Sequence, residues 1–299
     1  MSESIAYYPG CSGLGTSKEY DASTRAVCEA VGLDLVDIPD WSCCGSTPAH
    51  TKDHTLSAAL SARNLQLVSG MGLNLAITPC PSCLTNLRTA NHRMENAGFG
   101  EKVNKLLDEP YAGGVDAQSV IQALVEIVGL DNLAAAVRTP LTGLKVACYY
   151  GCIMNRPPEV MAFDDCENPM AMDNILTAMG ATVLPFPLKV ECCGASYGMP
   201  RPDVVARLTG KLLDAARDLG ADMIAVACPL CQMNLDLRQG QVNRILGTNY
   251  RIPVPYFTQL MGVALNIAEA QLGFGKLCID PRPVLSKALA NAGSQAKGA

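Results

Sequence analysis

Ser42-Cys43-Cys44-Gly45 returns later in the chain as Glu191-Cys192-Cys193-Gly194. Side chains of adjacent cysteines point in different directions, so the two cannot readily close a disulfide with each other. They suit a metal centre that offers more than one metal atom. Each pair has companions: 31 residues lie between Cys11 and Cys43, and 35 between Cys44 and the pair Cys80-Pro-Ser-Cys83. In the second set 39 residues separate Cys152 from Cys192, and 34 separate Cys193 from Cys228-Pro-Leu-Cys231. The difference of one residue in the last interval is one that a loop absorbs. Each set holds five thiols, whereas zinc is satisfied by four ligands and a cubane [4Fe–4S] cluster by four thiolates. Five is one too many for either. This leaves an unusual iron–sulfur centre, or a four-ligand site with one thiol free for chemistry.

The other reactive residue types are few. His50 and His54 follow the first Cys-Cys-Gly loop, and Lys189 and Arg201 flank the second. These are candidate substrate contacts, and Lys189 and Arg201 suit an anionic substrate. Each has an ordinary counterpart in a helix-surface or capping histidine, or a solvated surface charge. His92 reads as structural. Cys28, Cys166 and Cys278 fall outside the pattern and are expected in packing, as free cysteine often is. Cys148 aligns with Tyr7 and is expected on a strand. Gly45 and Gly194 are expected to let backbone pass close to a bulky group.

The elements that position these residues come in a repeated order. Ile5–Tyr8 reads as a short buried strand ending at Cys11, and 17–31 as a helix with Thr16 or Ser17 as N-cap. The segment 33–38 alternates like a strand and leads into Cys43-Cys44-Gly45, followed by a helix over 55–69. A third strand, 73–78, delivers Cys80-x-x-Cys83 and the helix 84–97. The second half repeats this: strand 144–148 before Cys152, helix 168–179, strand 181–186 before Cys192, helix 202–219, strand 222–227 before Cys228, and helical 232–238. Every cysteine motif falls in the turn after a strand. Between the halves, 98–143 reads as connecting helices over 101–107, 116–128 (Asp116 as N-cap) and 131–137. A terminal helix is expected over 258–272 and a loose tail over 289–299. The expected fold is α/β, with two duplicated Rossmann-like parallel-sheet halves (1–97 and 144–299) related by pseudo-two-fold symmetry and bridged by the helices of 98–143. In such sheets ligands collect at the carboxyl ends of the strands, where all the repeated cysteines fall.

Composition narrows the function classes. The chain has 299 residues, 49% of them hydrophobic, enough to bury a large core. Its net charge is -5, its pI about 5.3, and it has no Lys/Arg block, which argues against nucleic acid. The N-terminal residues lack the basic start and apolar run of a signal peptide, and no apolar stretch is long enough to span a bilayer. A cytoplasmic location is expected, with membrane contact only through partners, and the fourteen cysteines then read as ligands rather than disulfides. Tyr7-Tyr8-Pro9-Gly10 leads into a cysteine turn and not a G-x-G-x-x-G loop, so neither flavin nor nicotinamide is expected.

The pattern Cys, Cys-Cys-Gly, Cys-x-x-Cys, present twice, resembles the cysteine-rich CCG domain in the B subunit of heterodisulfide reductase and its bacterial relatives. The Ala-rich sequence and the Cys-Pro-Ser-Cys and Cys-Pro-Leu-Cys pairs look closer to the bacterial type. The resemblance implies two non-cubane [4Fe–4S] clusters, one held by Cys11, Cys43, Cys44, Cys80 and Cys83, the other by Cys152, Cys192, Cys193, Cys228 and Cys231. It implies a disulfide bound between them and cleaved homolytically into two metal-bound thiolates, or formed in reverse. It also implies a small iron–sulfur electron donor like the C subunit of that family, and a flavin-containing partner like its A subunit. Two alternatives stand beside it: a CCG-domain subunit passing electrons to a quinone or carrier without binding a disulfide, and a zinc-stabilised scaffold, with zinc in one of the two sites a lesser variant.

Overall fold

The computed structural model describes residues 4–46 and 48–295. Its first half is a four-stranded parallel sheet built from β1 (Ser4–Tyr7), β2 (Asp34–Asp37), β3 (Leu75–Thr78) and β4 (Asp116–Ser119), in the order β2-β1-β3-β4. The second is a three-stranded parallel sheet of β5 (Lys145–Tyr149), β6 (Thr182–Leu184) and β7 (Met223–Val226), in the order β6-β5-β7. The strand entering each first cysteine is thus an inner strand of its sheet, with the strand before Cys-Cys-Gly on one side and the strand before Cys-x-x-Cys on the other. β1 and β3 are buried beyond their first residue and β7 throughout, as apolar parallel strands covered on both faces must be. β2 lies at the sheet edge and carries Asp34 and Asp37, a charge pattern that discourages further pairing.

Helices cover the sheets. The Lys18–Ala30 helix starts after Ser17, which occupies the N-cap without a side-chain capping bond. The His54–Gly70 helix is capped by Asp53, whose carboxylate accepts from Thr55 N and Leu56 N. Pro81 and Pro229, each directly after a cysteine, open the Pro81–Met94 and Pro229–Gln232 helices, where a missing N–H costs nothing. The duplicated α/β architecture follows the sequence expectation.

Several local expectations do not hold. Asp116 caps no helix. Asp116–Ser119 pairs with β3, and Ser119 is the N-cap of the helix that begins at Val120, its Oγ accepting from Gln122 N. The helix continues as a π-turn over Leu124–Val128. The expected 258–272 helix is two, Phe257–Ala264 and Glu269–Leu272, with Asn266 at φ 60° between them. The expected tail is helical over Arg282–Gln295, held by the buried Leu285 and Ala288, and 296–299 lies outside the described residues.

One core cluster runs through both halves, joining Ile5, Tyr7, Tyr20 and Val27 to Tyr149, Met223, Tyr256 and Phe257. Tyr20 is the hinge of this contact. Its ring stacks on Tyr256 at 4.0 Å, and its hydroxyl donates to Ala227 O at 3.2 Å, next to Cys228. Ser23 and Thr258 share a hydrogen bond of 2.8 Å beside it. From the other direction Thr85 Oγ1, 2.9 Å from Pro81 O of its own helix, lies 3.3 Å from Ile153 O, next to Cys152. Each half therefore touches the other beside its cysteine turns. Removing the buried aromatic ring in Tyr20→Ala should lower the free energy of unfolding by about 3–5 kcal/mol, seen as an earlier urea midpoint. A loss below about 1 kcal/mol would show that the halves do not lean on this contact.

Candidate metal centres

Each five-thiol set assembles around the tyrosine that ends its inner strand or immediately follows it. Tyr8 donates its hydroxyl to Ser42 O and Tyr149 to Glu191 O, both at 2.7 Å. These carbonyls directly precede Cys43 and Cys192, so the same hydrogen bond ties the Cys-Cys-Gly loop to the inner strand in both halves. Burial raises the Tyr8 phenol, and the Cys83, Cys44, Cys43 and Cys11 thiols raise it further. The Tyr149 phenol is raised by burial and then by Cys231, Cys193, Cys228 and Cys152. Cys80 joins the first set through its contact with Cys83, and Cys192 joins the second through its contact with Cys152. All ten thiols singled out by spacing are thus brought together, five and five.

The two sites share their finer construction. Cys44 Sγ lies 3.4 Å from Cys83 Sγ, and Cys193 Sγ lies 3.7 Å from Cys231 Sγ, contacts far longer than a disulfide bond. All fourteen cysteines are free. Cys44, Cys80 and Cys83 form a buried floor, as do Cys193, Cys228 and Cys231, while Cys11 and Cys43 are exposed at one rim and Cys152 and Cys192 half-buried at the other. Gly10 and Gly151 have φ of +65° and +80°, and a Cβ there would fall 3.0 Å from Cys83 Sγ and 2.7 Å from Cys231 Sγ. Glycine is required where the first turn crosses the floor thiol. Gly45 and Gly194 also have positive φ, but a Cβ on either would meet the next helix, at Leu60 and Val205. Their role is to turn the loop against that helix and not to face the thiols.

Polar side chains that the sequence pattern did not single out complete each floor. Asn86 Nδ2 donates to Cys44 O at 3.1 Å and points at its Sγ at 3.9 Å, and Asn234 Nδ2 reaches Cys193 O at 3.2 Å and its Sγ at 3.4 Å. Ser61 Oγ and Thr209 Oγ1 donate to the same two carbonyls. The signal was present as Cys-x-x-Cys-x-x-Asn-Leu in both halves. The Cys83 contact, with Ser46 N and Asn86, brings the Cys44 thiol down to about 7 against the effect of burial. The Cys231 contact and Asn234 bring Cys193 down to about 6. The same contacts push Cys83 and Cys231 up, and burial followed by Cys192 pushes Cys152 up to about 12. Thiolates gathered this closely repel one another, and a bound cation relieves that repulsion as the thiols give up protons.

The remaining candidates fall out differently. His50 and His54 are exposed and line a cavity beside the first site. His92 is at the surface, 3.5 Å from Glu95. Arg201 is exposed and paired with Asp203. Lys189 is neither a solvated charge nor open to a substrate. Its Nζ is buried 2.7 Å from Asp173 and 2.8 Å from Pro169 O, while Tyr150 donates to the other Asp173 oxygen at 2.7 Å. Lys189 O accepts from Tyr150 N and Gly151 N, so this ion pair pins the approach to Cys192 against the turn before Cys152. Cys28 is packed in the core with its thiol pushed up to about 12 by burial, and Cys148 is buried on β5. Cys166 is half-buried and Cys278 exposed, so packing does not account for Cys278.

Among the described residues no group of three or more His, Cys, Asp or Glu stands ready-made around a single ion. The donor chemistry of five thiols, a dry floor, an amide N–H aimed at sulfur and a glycine turn pressed on a floor thiol fits a thiolate-ligated iron–sulfur group. The cysteine-rich CCG domain matches twice, over residues 5–88 and 146–236. The chain belongs to the CCG-domain family that includes the heterodisulfide reductase B subunits. This CCG-domain protein is 32% identical to the 8-methylmenaquinol:fumarate reductase membrane anchor subunit of Wolinella succinogenes, over 94% of this chain and 98% of that one. It is 30% identical to the B subunit of the ferredoxin/F420H2-dependent CoB-CoM heterodisulfide reductase of Methanosarcina acetivorans, over 95% and 96%. A crystal structure of a hypothetical Helicobacter pylori protein shares the fold, with a TM-score of 0.75 at 14% identity, covering 93% of this chain and 52% of that one. The CCG-domain protein thus spans about half the length of that solved chain. Membership carries an oxidoreductase-type role, metal-containing cofactors and a place in a multi-subunit complex.

The buried ion pair yields a test. Lys189→Met leaves the Asp173 carboxylate without its cation and should cost about 3–5 kcal/mol of stability, measured by denaturant unfolding. The double variant Lys189→Met/Asp173→Leu should recover part of that loss. If it recovers none, the pair is not what the single variant broke.

Proposed function

We propose that this chain is the catalytic iron–sulfur subunit of a heterodisulfide-reductase-type complex, which cleaves a disulfide, or in reverse forms one, between two non-cubane [4Fe–4S] clusters. The observation that supports this most is the duplication itself: two five-thiol sites of one design stand in two halves of one chain that pack against each other. A bound cluster supplies one-electron reduction and iron able to take up sulfur. Disulfide cleavage needs two electrons and two protons to give two thiols, and a pair of one-electron sites meets that demand.

Within this proposal Cys11, Cys43, Cys44, Cys80 and Cys83 hold the first cluster, and Cys152, Cys192, Cys193, Cys228 and Cys231 the second. Tyr8 and Tyr149 hold the ligand loops in register with their strands. Asn86 and Asn234 donate toward the Cys44 and Cys193 sulfurs, which favours the more negative, reduced state of whatever those sulfurs bind. Electrons arrive from a small iron–sulfur protein of the C-subunit kind, itself fed by a flavin-containing partner of the A-subunit kind. A bacterial-type family member and a cytoplasmic location are part of the same proposal. No helix among the described residues is long and apolar enough to cross a membrane.

A second reading draws support from the Wolinella relative, whose name places that protein with a methylmenaquinol. In it the same sites pass electrons to or from a quinone and no disulfide binds.

Assembled protein should contain about eight iron atoms per chain, two four-iron groups, with matching acid-labile sulfide. Zinc without sulfide would reject both readings. Cys44→Ala and Cys193→Ala should each abolish turnover while the untouched half keeps its spectroscopic signal, and near wild-type turnover in either would overturn the two-cluster mechanism. With a reduced donor and a disulfide, thiol release is expected. Rapid quinone reduction with no thiol from any disulfide would favour the second reading.

A further inference from the structure

The chain repeats its strand register as well as its cysteines. In the first half Thr78, two residues before Cys80, pairs with Ser119, the N-cap of the next helix. In the second half Val226, two residues before Cys228, bridges Tyr256 in parallel, and Tyr256 is the N-cap of the Phe257–Ala264 helix. Val226 N donates to Pro255 O at 3.1 Å, which fixes this segment along β7. A glutamine stands three residues beyond each cap, Gln122 and Gln259. Ser119 and Tyr256 therefore occupy one position of the repeat, each beside the turn that carries Cys-x-x-Cys.

The two side chains are used differently. Ser119 Oγ is engaged by its own helix, accepting from Gln122 N at 3.0 Å. At the second helix Gln259 Oε1 accepts from Tyr256 N at 2.9 Å, and the phenol hydroxyl makes no hydrogen bond. Tyr256 is fully buried, its ring stacked on Tyr20 at 4.0 Å with 4° between the planes. A sealed hydroxyl without a partner is rare in folded proteins and calls for a group to receive it.

The surroundings say where that group belongs. The Tyr20 hydroxyl already donates to Ala227 O, so the stacked pair lies against the residues that lead into Cys228. Ser17 and Glu19 also stand near the Tyr256 hydroxyl, and neither is bonded to it. Burial pushes the phenol well up, and the charges of Glu19 and then Cys228 push it further, against Ser17. It keeps its proton and can donate it in a hydrogen bond.

We propose that Tyr256 donates its hydroxyl to the sulfur of Cys228 once the second site holds its iron–sulfur group, and so favours the reduced state of that group alone. A donor at a ligand sulfur offsets the negative charge gained on reduction. Asn86 and Asn234 act in this way in both halves, and Tyr256 adds a donor in one, since its counterpart Ser119 is committed to its helix. Two sites alike in ligands are thereby unequal in their hydrogen bonds to sulfur. This rests on the reading of the five-thiol sets as iron–sulfur sites and does not depend on which substrate they serve.

Redox titration of the full chain with both iron–sulfur groups assembled, followed by electron paramagnetic resonance, tests this. The step retained in Cys44→Ala and missing from Cys193→Ala belongs to the second group. Tyr256→Phe keeps the ring and its stack on Tyr20. It should move that step to lower potential by about tenfold in the reduction equilibrium, or about 59 mV for one electron, and leave the other step in place. Ser119→Ala should move neither. An unmoved second step in Tyr256→Phe, as expected if Ser17 serves the hydroxyl instead, would overturn the proposal. So would an equal shift of both steps, or a comparable shift of the first step in Ser119→Ala. Absence of a second step would remove the proposal together with the two-cluster reading. A step that shifts as expected, in a protein that releases no thiol from any disulfide, would sink the disulfide reading and leave Tyr256 in its role.

Discussion

One hydrogen bond, made twice, sets the geometry on which everything else depends. A phenol at the end of the inner strand donates to the carbonyl just before the paired cysteines, at 2.7 Å in both halves. It fixes the start of the Cys-Cys-Gly loop to the strand, while Ser61 and Asn86 in the first half, and Thr209 and Asn234 in the second, hold the carbonyl between the paired cysteines and the glycine. Both phenols are buried, where an unmade hydrogen bond costs more than a made one contributes. Their burial also keeps them protonated, so the donor role does not depend on conditions near neutrality.

Around this fixed point each half solves the same conflict between sulfur and space. Thiols must crowd, yet crowded thiolates repel. The contact between neighbours lowers one thiol and raises the other, and a bound cation would take the place of the retained proton. Backbone room comes from glycine at the first turn, and orientation from an asparagine one helical turn beyond the last cysteine. The halves diverge where sulfur is not concerned. A buried Lys189–Asp173 pair braces one approach, and Arg238 lies across Gly198 in the second half, where the first half has Ala90 in the matching position.

The order of strands and helices and the two cysteine sets were legible in the sequence because both carry strong, repeated signals: short apolar runs, and a residue type rare enough that its spacing means something. What was not legible depended on contacts distant along the chain. Asp116–Ser119 is polar and four residues long, so nothing local marks it as a strand until β3 presents an edge to pair with. Lys189 looked like a surface charge because its counter-ion sits on a helix earlier in the chain. Asn86 and Asn234 were visible as letters but carried no weight, since an asparagine on a helix is ordinary until a sulfur is found in front of it. Cys278 remains outside every element of the design.

The core that runs through both sheets bears on how the molecule came to be one chain. Two copies of a self-sufficient unit joined end to end would each keep a closed interior, and either could later be lost or traded. Here Tyr20 and Val27 from the first copy share their interior with Tyr256 and Phe257 from the second. Each copy has surrendered part of its own interior to the other. Cutting the chain between the two sheets would therefore uncover apolar surface on both pieces, Tyr20 and Val27 on one and Tyr256 and Phe257 on the other.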